Sequence, residues 1–269
     1  VNWRLSSYNQ MICLLDRRLA PYLDLLYTAF LLLGTAIMIA GTEVVIFEAA
    51  ALSGGMHLTA LLVLIPLLAG PQSVLNLNGY LVPLMVSLMG YVAVVTIANG
   101  RFVSAPGIGE AVPFGILYAG YNYGFALAVF AGIGEIARTP SAAKSGGLLG
   151  GLILGALIAL VITALFTGPP EALYAPIPML LLARRIGPAV ERLYTLVIWL
   201  AMYTTALAHG LAVAQRLNGV VCSRWWQTAG LSLAAALFIA KVGFVPLIRF
   251  TYQAFGVIGL FLLYRAMRL

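Results

Sequence analysis

Charged residues are scarce in this sequence. Only 9% of its residues are charged, whereas an average soluble protein has about 25%. Hydrophobic residues make up 62% of the 269 positions, above the roughly 45–50% of average usage. A soluble domain of this size has no use for so much apolar surface. The composition therefore excludes a soluble globular protein and indicates a polytopic, all-α membrane protein.

Histidine and cysteine are almost absent. His57 and His209 are the two histidines, and Cys13 and Cys222 are the two cysteines. Two distant histidines argue against a haem bundle or a His-rich metal site, and two cysteines without ligand spacing are typical of packing residues. No His/Asp/Glu cluster and no activated Ser or Cys pattern is visible. We therefore expect no enzymatic activity, no organic cofactor and no metal site built from histidine or cysteine.

The positive net charge of +7 does not indicate nucleic-acid binding, because the basic residues are scattered at the ends of apolar segments. Positive charge favours the cytoplasmic side of a membrane. With both termini cytoplasmic, nine basic residues lie in inner segments and six in outer ones. The residues at positions 1–20 also lack the apolar core and the cleavage site of a signal peptide. We expect a multi-pass protein of a prokaryotic plasma membrane, with both termini in the cytoplasm.

Apolar runs predict about eight transmembrane helices, since roughly 20 apolar residues cross a bilayer. The predicted spans are about 25–51, 56–69, 78–98, 113–136, 146–166, 190–214, 226–244 and 247–264. Residues 1–24 are predicted to form a cytoplasmic or interfacial lead-in, and residues 25–269 a single transmembrane domain. The Pro-rich segment at about 171–188 is too short to span and is predicted to be re-entrant or interfacial.

The fourth predicted span contains an unusual polar stretch, Leu117–Gly124, with the sequence Leu-Tyr-Ala-Gly-Tyr-Asn-Tyr-Gly. Glycine weakens a helix, and freed backbone groups at membrane depth survive only inside protein or beside a wet cavity. One interpretation is a locally unwound helix that forms a substrate site. The other is a continuous helix whose glycines allow close packing, with Asn122 bonded to a neighbour. We expect the unwound form.

Three further polar residues lie within or beside the early spans: Glu43, Asn76 and Asn78. A carboxylate inside a membrane is a functional candidate by default. However, 18 uncharged residues precede Glu43 in the first span, and these already cover roughly 27 Å of a helix. Glu43 can therefore lie at the far interface instead. The two asparagines are placed at the mouth of the third span.

Five short motifs, taken in order, resemble the YkvI-like membrane proteins. They are Met38-Ile-Ala-Gly-Thr-Glu43, Leu75-Asn-Leu-Asn-Gly-Tyr-Leu-Val-Pro83, Leu117-Tyr-Ala-Gly-Tyr-Asn122, Pro176-Ile-Pro-Met179 and Tyr203-Thr-Thr205. The resemblance covers the chain from about Leu25 onward. That family looks like a branch of the amino acid–polyamine–organocation transporters, which have the LeuT fold. The resemblance implies a secondary transporter for a small organic solute, such as an amino acid, coupled to sodium or protons.

The resemblance also implies which residues bind the solute and the cation. Matched from the C-terminus, the eight spans look like core helices three to ten of the ten-helix LeuT bundle. The fourth span then corresponds to an interrupted helix, which implies substrate contacts from Ala119, Gly120, Tyr121, Asn122 and Tyr123. The sixth span corresponds to a helix that binds sodium, through a backbone carbonyl and two hydroxyls spaced like Ala201, Thr204 and Thr205. Positions i, i+3 and i+4 share one helix face, which we expect to point into the bundle. The alternative is that both threonines bond the carbonyls of their own helix.

Two core helices of the LeuT fold have no counterpart in this assignment. Core helices one and two would precede Leu25, where only the polar lead-in is found. By repeat, the first three spans pair with the last three, and the fourth and fifth lack partners. We therefore expect a LeuT-like bundle without core helices one and two, and no sodium-coupled uptake by this chain alone. A complementing second polypeptide or a reduced fold are the alternatives. A non-transporting membrane sensor or assembly protein is the rival function.

Overall fold

A computed structural model describes residues 20–69, 72–102, 108–136, 139–218, 220–221 and 224–267. Helices dominate these ranges, as the apolar composition predicts. The bounds are α1 Ala20–Ala50, α2 Gly55–Ala69, α3 Gln72–Asn99, α4 Ile108–Ile136, α5 Pro140–Thr167, a 3-10 helix Pro170–Tyr174, α6 Pro178–Ile186, α7 Pro188–Leu217, α8 Trp225–Ala240 and α9 Phe244–Ala266. The prediction of an all-α protein is confirmed.

Five of the described helices are long and apolar enough to cross a membrane. They are Ala20–Ala50, Val82–Asn99 within α3, Pro140–Thr167, Pro188–Leu217 and Phe244–Ala266, with mean hydropathies from 1.5 to 2.7. Gly55–Leu68 and Trp225–Ala240 are also apolar but shorter. These helices agree with a multi-pass membrane protein. Helix α6 has nine residues, about 13 Å, so it is too short to span, as expected for the Pro-rich segment.

The helices fall into two compact units. The first contains the described residues within Val1–Phe30, Pro106–Leu154 and Ile248–Leu269. In it, α4 and the C-terminal part of α9 are in direct backbone contact at glycines. Phe30, the eleventh residue of α1, adds its ring to the aromatic side chains of α4 and α9. This unit carries the predicted substrate stretch.

The second unit comprises Leu31–Ala105 and Gly155–Leu247. Helix α7 is its centre and packs against α2, α3, α6 and α8. The apolar core of this unit joins the middle of α3 to the amphipathic helix α6, whose Leu180 and Leu182 are fully buried. Arg184 and Arg185 in the last turn of α6 are exposed. This unit carries the predicted cation-binding residues.

The predicted interruption of the fourth span is wrong in this structure. Helix α4 is continuous from Ile108 to Ile136 and passes through Gly120 and Asn122 without a break. The physical reason is a helix contact that the local sequence cannot reveal. Gly120 faces two glycines of α9, and the missing side chains let the two backbones touch. The glycines therefore serve close packing, which was the alternative interpretation.

Two expected boundaries also differ. Helix α1 includes Ala20–Asp24, which the sequence assigned to the lead-in. The seventh predicted span ends as a helix at Ala240 and is followed by a tight turn. Gly243 in this turn has a φ of 103°, a conformation that glycine adopts without a steric penalty. The positions at 1–19 lie outside the described residues.

Candidate functional site

The predicted substrate stretch lies in the first unit and has two different faces. Gly120 and Tyr121 are buried, and only 4% of the Tyr121 surface is exposed. Ala119 and Asn122 are exposed, and Tyr123 is half-buried. The five predicted substrate residues therefore do not share one surface. A continuous helix produces this result, because it turns neighbouring residues about 100° apart.

The buried face of α4 is held by backbone contact with α9. A Cβ atom added to Gly259 would overlap the carbonyl oxygen of Gly120, and one added to Gly120 would overlap the carbonyl oxygen of Gly256. A Cβ added to Gly256 would lie 2.8 Å from the carbonyl oxygen of Leu117. Small residues in membrane helices commonly permit two backbones to approach this closely. The contact with α9 covers the backbone of Gly120, which was predicted to bind substrate.

Aromatic rings surround this glycine contact. The Tyr121 ring lies 4.1 Å from that of Tyr252 and 5.5 Å, edge to face, from that of Phe30. Phe30 also stacks on Phe255, with 4.6 Å between the ring centroids. The sequence reasoning missed the contribution of α9 because glycines and aromatic residues occur throughout the chain.

Among the residues that the structure describes, Asn122 bonds within its own helix and not to a neighbouring one. Its side-chain nitrogen donates to the carbonyl oxygen of Tyr118 in the preceding turn, at 2.8 Å. This bond leaves the side-chain oxygen of Asn122 as an acceptor on the exposed face of α4. Asn122 therefore offers a polar group at this surface without any distortion of the helix.

The predicted cation-binding residues lie together in the second unit, in the middle of α7. The Thr204 hydroxyl donates to the carbonyl oxygen of Ala201 at 3.1 Å, and the Thr205 hydroxyl donates to the same oxygen at 2.8 Å. Thr204 is 3% exposed, and Thr205 is half-buried. The spacing thus places both hydroxyl oxygens beside the carbonyl oxygen of Ala201, and the binding of a cation there stays a prediction. The hydrogen bonds are those of the alternative interpretation, in which each threonine bonds its own helix.

These hydrogen bonds leave the oxygen atoms of both hydroxyl groups able to accept. A hydroxyl that donates its hydrogen keeps two lone pairs on its oxygen. Thr204 and Thr205 can therefore still present oxygen ligands to a hard cation, which prefers such ligands. The carbonyl oxygen of Ala201 already accepts both hydroxyls, so a cation would have to compete with one of these bonds.

Glu43 has a clear structural partner. Its two carboxylate oxygens accept hydrogen bonds from the backbone N–H groups of Gly54, at 3.0 Å, and Met56, at 2.8 Å. These groups lie at the N-terminus of α2, where four N–H groups lack a partner within the helix. A negative charge is also favoured by the positive end of the helix dipole. Glu43 therefore caps α2, a role that the sequence reasoning did not foresee.

Asn76 and Asn78 lie within helix α3, but their side chains are outside the described residues.

Two tryptophans that sequence reasoning passed over make polar contacts in the second unit. Trp199 donates to the Thr59 hydroxyl at 3.1 Å, and Trp225 donates to the carbonyl oxygen of Leu67 at 3.0 Å. Both bonds connect α2 with later helices. The Thr59 hydroxyl and the Leu67 carbonyl thus supply the hydrogen-bond partners that these partly buried indole N–H groups require.

Comparisons with known proteins give two similar sequences. The chain is 23% identical over 267 residues to the uncharacterized membrane protein YkvI of Bacillus subtilis (strain 168), a match that covers 95% of this chain and 76% of YkvI. It is 23% identical over 248 residues to the uncharacterized protein YyaD of the same organism, covering 91% of this chain and 73% of YyaD. No protein-family profile and no solved structure matches. The chain is therefore similar over nearly its whole length to YkvI, a membrane protein, and its own described helices agree with a helical membrane protein.

Proposed function

We propose that this chain is the membrane core of a secondary transporter for a small organic solute, such as an amino acid, coupled to sodium or protons. The observation that carries the proposal is the set of three oxygen atoms from Ala201, Thr204 and Thr205 on one face of α7, where Thr204 is buried and Ala201 and Thr205 are half-buried. Ala201 is the fourteenth residue of this thirty-residue helix. It therefore lies roughly 20 Å from the helix start, near mid-span.

Oxygen atoms grouped at mid-span suit a coupling ion better than a structural role alone. Polar groups inside a membrane are costly and mark ion or substrate pathways. Thr204 is buried within the helices of its unit and not on the outer surface. The proposed LeuT-like arrangement of eight spans assigns this position to the sodium-binding helix. In that arrangement α2, α4 and α8 are also spans, although α2 and α8 are short.

The substrate role proposed for Ala119–Tyr123 requires a change at the α4–α9 contact. In this structure the backbone of Gly120 is covered by Gly256 and Gly259. A solute can approach Gly120 only when α4 separates from α9 or unwinds. The exposed side chain of Asn122 needs no such change and is the first contact we assign to the solute.

A second candidate function is a non-transporting membrane sensor or assembly protein. The continuous helix α4 favours it, because inverted-repeat transporters form their central site from broken helices. Both candidates are compatible with a lipid bilayer as the main partner, and neither requires nucleic acid. The predicted lack of core helices one and two stays a prediction, as does the lack of sodium-coupled uptake by this chain alone.

The proposal is tested by exchange of labelled amino acids in proteoliposomes that contain the complete product of the gene. The double variant Thr204→Val/Thr205→Val removes both hydroxyls while keeping the branched shape. We expect it to abolish the dependence of exchange on sodium, and we expect Thr204→Ser/Thr205→Ser to retain it. Thr35→Val is the matched control, because Thr35 is also buried and donates to the carbonyl of its own helix. If the double valine variant keeps full sodium dependence, Thr204 and Thr205 do not bind the coupling ion.

A further inference from the structure

A cavity of about 540 Å³ lies in the second unit, where three helices end. Helix α3 ends at Asn99, α5 at Thr167 and α6 at Ile186, and all three residues line the cavity. Its volume is within the range of about 300–1,000 Å³ that is typical of small-molecule sites. Helices α3 and α5 are candidate spans, so the cavity lies at the end of two crossings, where a membrane meets water.

Close packing fixes the walls of this cavity. A Cβ atom added to Gly100 would overlap the carbonyl oxygen of Thr167, so the ends of α3 and α5 touch at a glycine. A Cβ added to Gly168 would lie 2.8 Å from Leu182 on α6, and Leu182 is itself fully buried. The cavity is therefore formed by elements that hold one another in place.

Two arginines, Arg101 and Arg185, line the cavity. Arg185 forms an ion pair with Glu171, and both side chains are more than half exposed. Arg101 is exposed and has no hydrogen bond or ion pair with any residue that the structure describes. A guanidinium group presents a planar fork of N–H donors that matches a carboxylate or a phosphate. The cavity thus has donors for an anionic group.

The same cavity has acceptors. Three helices end here, and the last four carbonyl groups of an α-helix lack a partner within the helix and carry a partial negative charge; of these, the carbonyl oxygens of Ala164 and Ala183 already accept hydrogen bonds from the N–H groups of Gly168 and Gly187. The side-chain nitrogen of Asn99 donates to the carbonyl oxygen of Val95 at 2.8 Å, which leaves the Asn99 side-chain oxygen as a further acceptor. A site with cationic donors and partly negative acceptors is complementary to a molecule that carries both charges.

We propose that this cavity binds a zwitterion. The carboxylate or phosphate of the ligand contacts Arg101 and Arg185, and its ammonium group donates to acceptors at the ends of α3 and α5. A free amino acid and the headgroup of an ethanolamine phospholipid share this chemistry. The amino acid as source rests on the proposed function, whereas the headgroup does not, so binding is tested apart from transport.

The test is isothermal titration calorimetry on the whole chain, purified and delipidated in a nonionic detergent. The probes are L-alanine, short-chain dihexanoyl phosphatidylethanolamine and the matching phosphatidylcholine, whose ammonium has no N–H donor. The test variant is Arg101→Gln, and the control is Arg192→Gln, which removes an exposed arginine at another place. Arg101→Lys, which keeps the charge, is the second variant, and equal melting temperatures show that the variants are folded.

We expect Arg101→Gln to weaken binding by about tenfold or more, the effect of losing a hydrogen bond to a charged group, and Arg192→Gln to leave binding unchanged. Arg101→Lys should lose less affinity than Arg101→Gln. Arginine-dependent binding of phosphatidylethanolamine identifies the lipid headgroup as ligand, and the same result with L-alanine identifies a free amino acid. The proposal is overturned if neither probe binds, if Arg101→Gln binds like the control, or if phosphatidylcholine binds as tightly as phosphatidylethanolamine.

Discussion

The cap formed by Glu43 gives the most direct link between one side chain and the stability of this protein. Its carboxylate accepts two backbone hydrogen bonds, from Gly54 and Met56, and lies at the start of α2. A hydrogen bond to a charged group contributes about 1.5–3 kcal/mol, and loss of a helix cap costs about 0.5–2 kcal/mol. The two bonds share one carboxylate and are not additive. We therefore expect Glu43→Ala to lower the free energy of unfolding by about 2–3 kcal/mol.

Two further variants separate the cap from the charge. Glu43→Gln keeps one acceptor oxygen but loses the charge, so we expect a loss of about 1 kcal/mol. Glu48→Gln is the control, because the Glu48 side chain is 39% exposed and its carboxylate lies 3.8 Å from the Arg184 guanidinium. An exposed ion pair of this kind contributes about 0–1 kcal/mol.

The assay is reversible unfolding in mixed micelles, combined with hydrogen–deuterium exchange of the amides at 54–58. Glu43→Ala should speed exchange at Gly54 and Met56, whose N–H groups lose their acceptor, and leave the middle of α2 less affected. If Glu43→Ala unfolds like the Glu48→Gln control and exchange at these amides is unchanged, the capping argument is wrong.

Two other predictions concern packing between helices. Gly259→Ala should destabilise the protein by about 3 kcal/mol or more, because the new Cβ meets the backbone of Gly120, which cannot move as a side chain does. Gly115→Ala is the control, since a Cβ there has nothing within 4 Å, and it should be neutral or stabilising by up to about 1 kcal/mol in the same unfolding assay. Equal effects of the two substitutions would contradict the contact between α4 and α9. Trp199→Phe removes the hydrogen bond to Thr59 and should cost about 1 kcal/mol. Thr59→Val should cost about as much, and the double variant should cost less than the sum; full additivity would show that the bond contributes nothing.

Composition and apolar runs were sufficient to predict the helical membrane class, because both depend on the chain's average properties. The role of the Gly120 stretch was not predictable in the same way. A glycine weakens an isolated helix, yet it also permits close contact with another helix. Which effect wins depends on Gly256 and Gly259, more than 130 positions downstream, and no local pattern shows that they meet.

The polar residues also differ in how far their roles could be predicted from the sequence. The spacing of Ala201, Thr204 and Thr205 placed three oxygen atoms on one face of α7, because helix geometry alone fixes that result. Glu43 was recognised as unusual, but its partner is the start of a helix that begins twelve positions later. The turn that folds Gly54 back onto the carboxylate decides its role. This turn includes Gly54 at a φ of 101°, a conformation that the sequence indicates only as a short glycine turn.

The central claim is that this chain forms the core of a solute transporter, and counterflow of labelled amino acids into proteoliposomes tests it most directly. The proteoliposomes contain the purified full-length protein. The account predicts exchange of at least one amino acid, stimulated by sodium or by a proton gradient. The absence of exchange for all twenty amino acids by correctly folded protein would contradict the proposed transport of amino acids and favour a sensor or assembly protein.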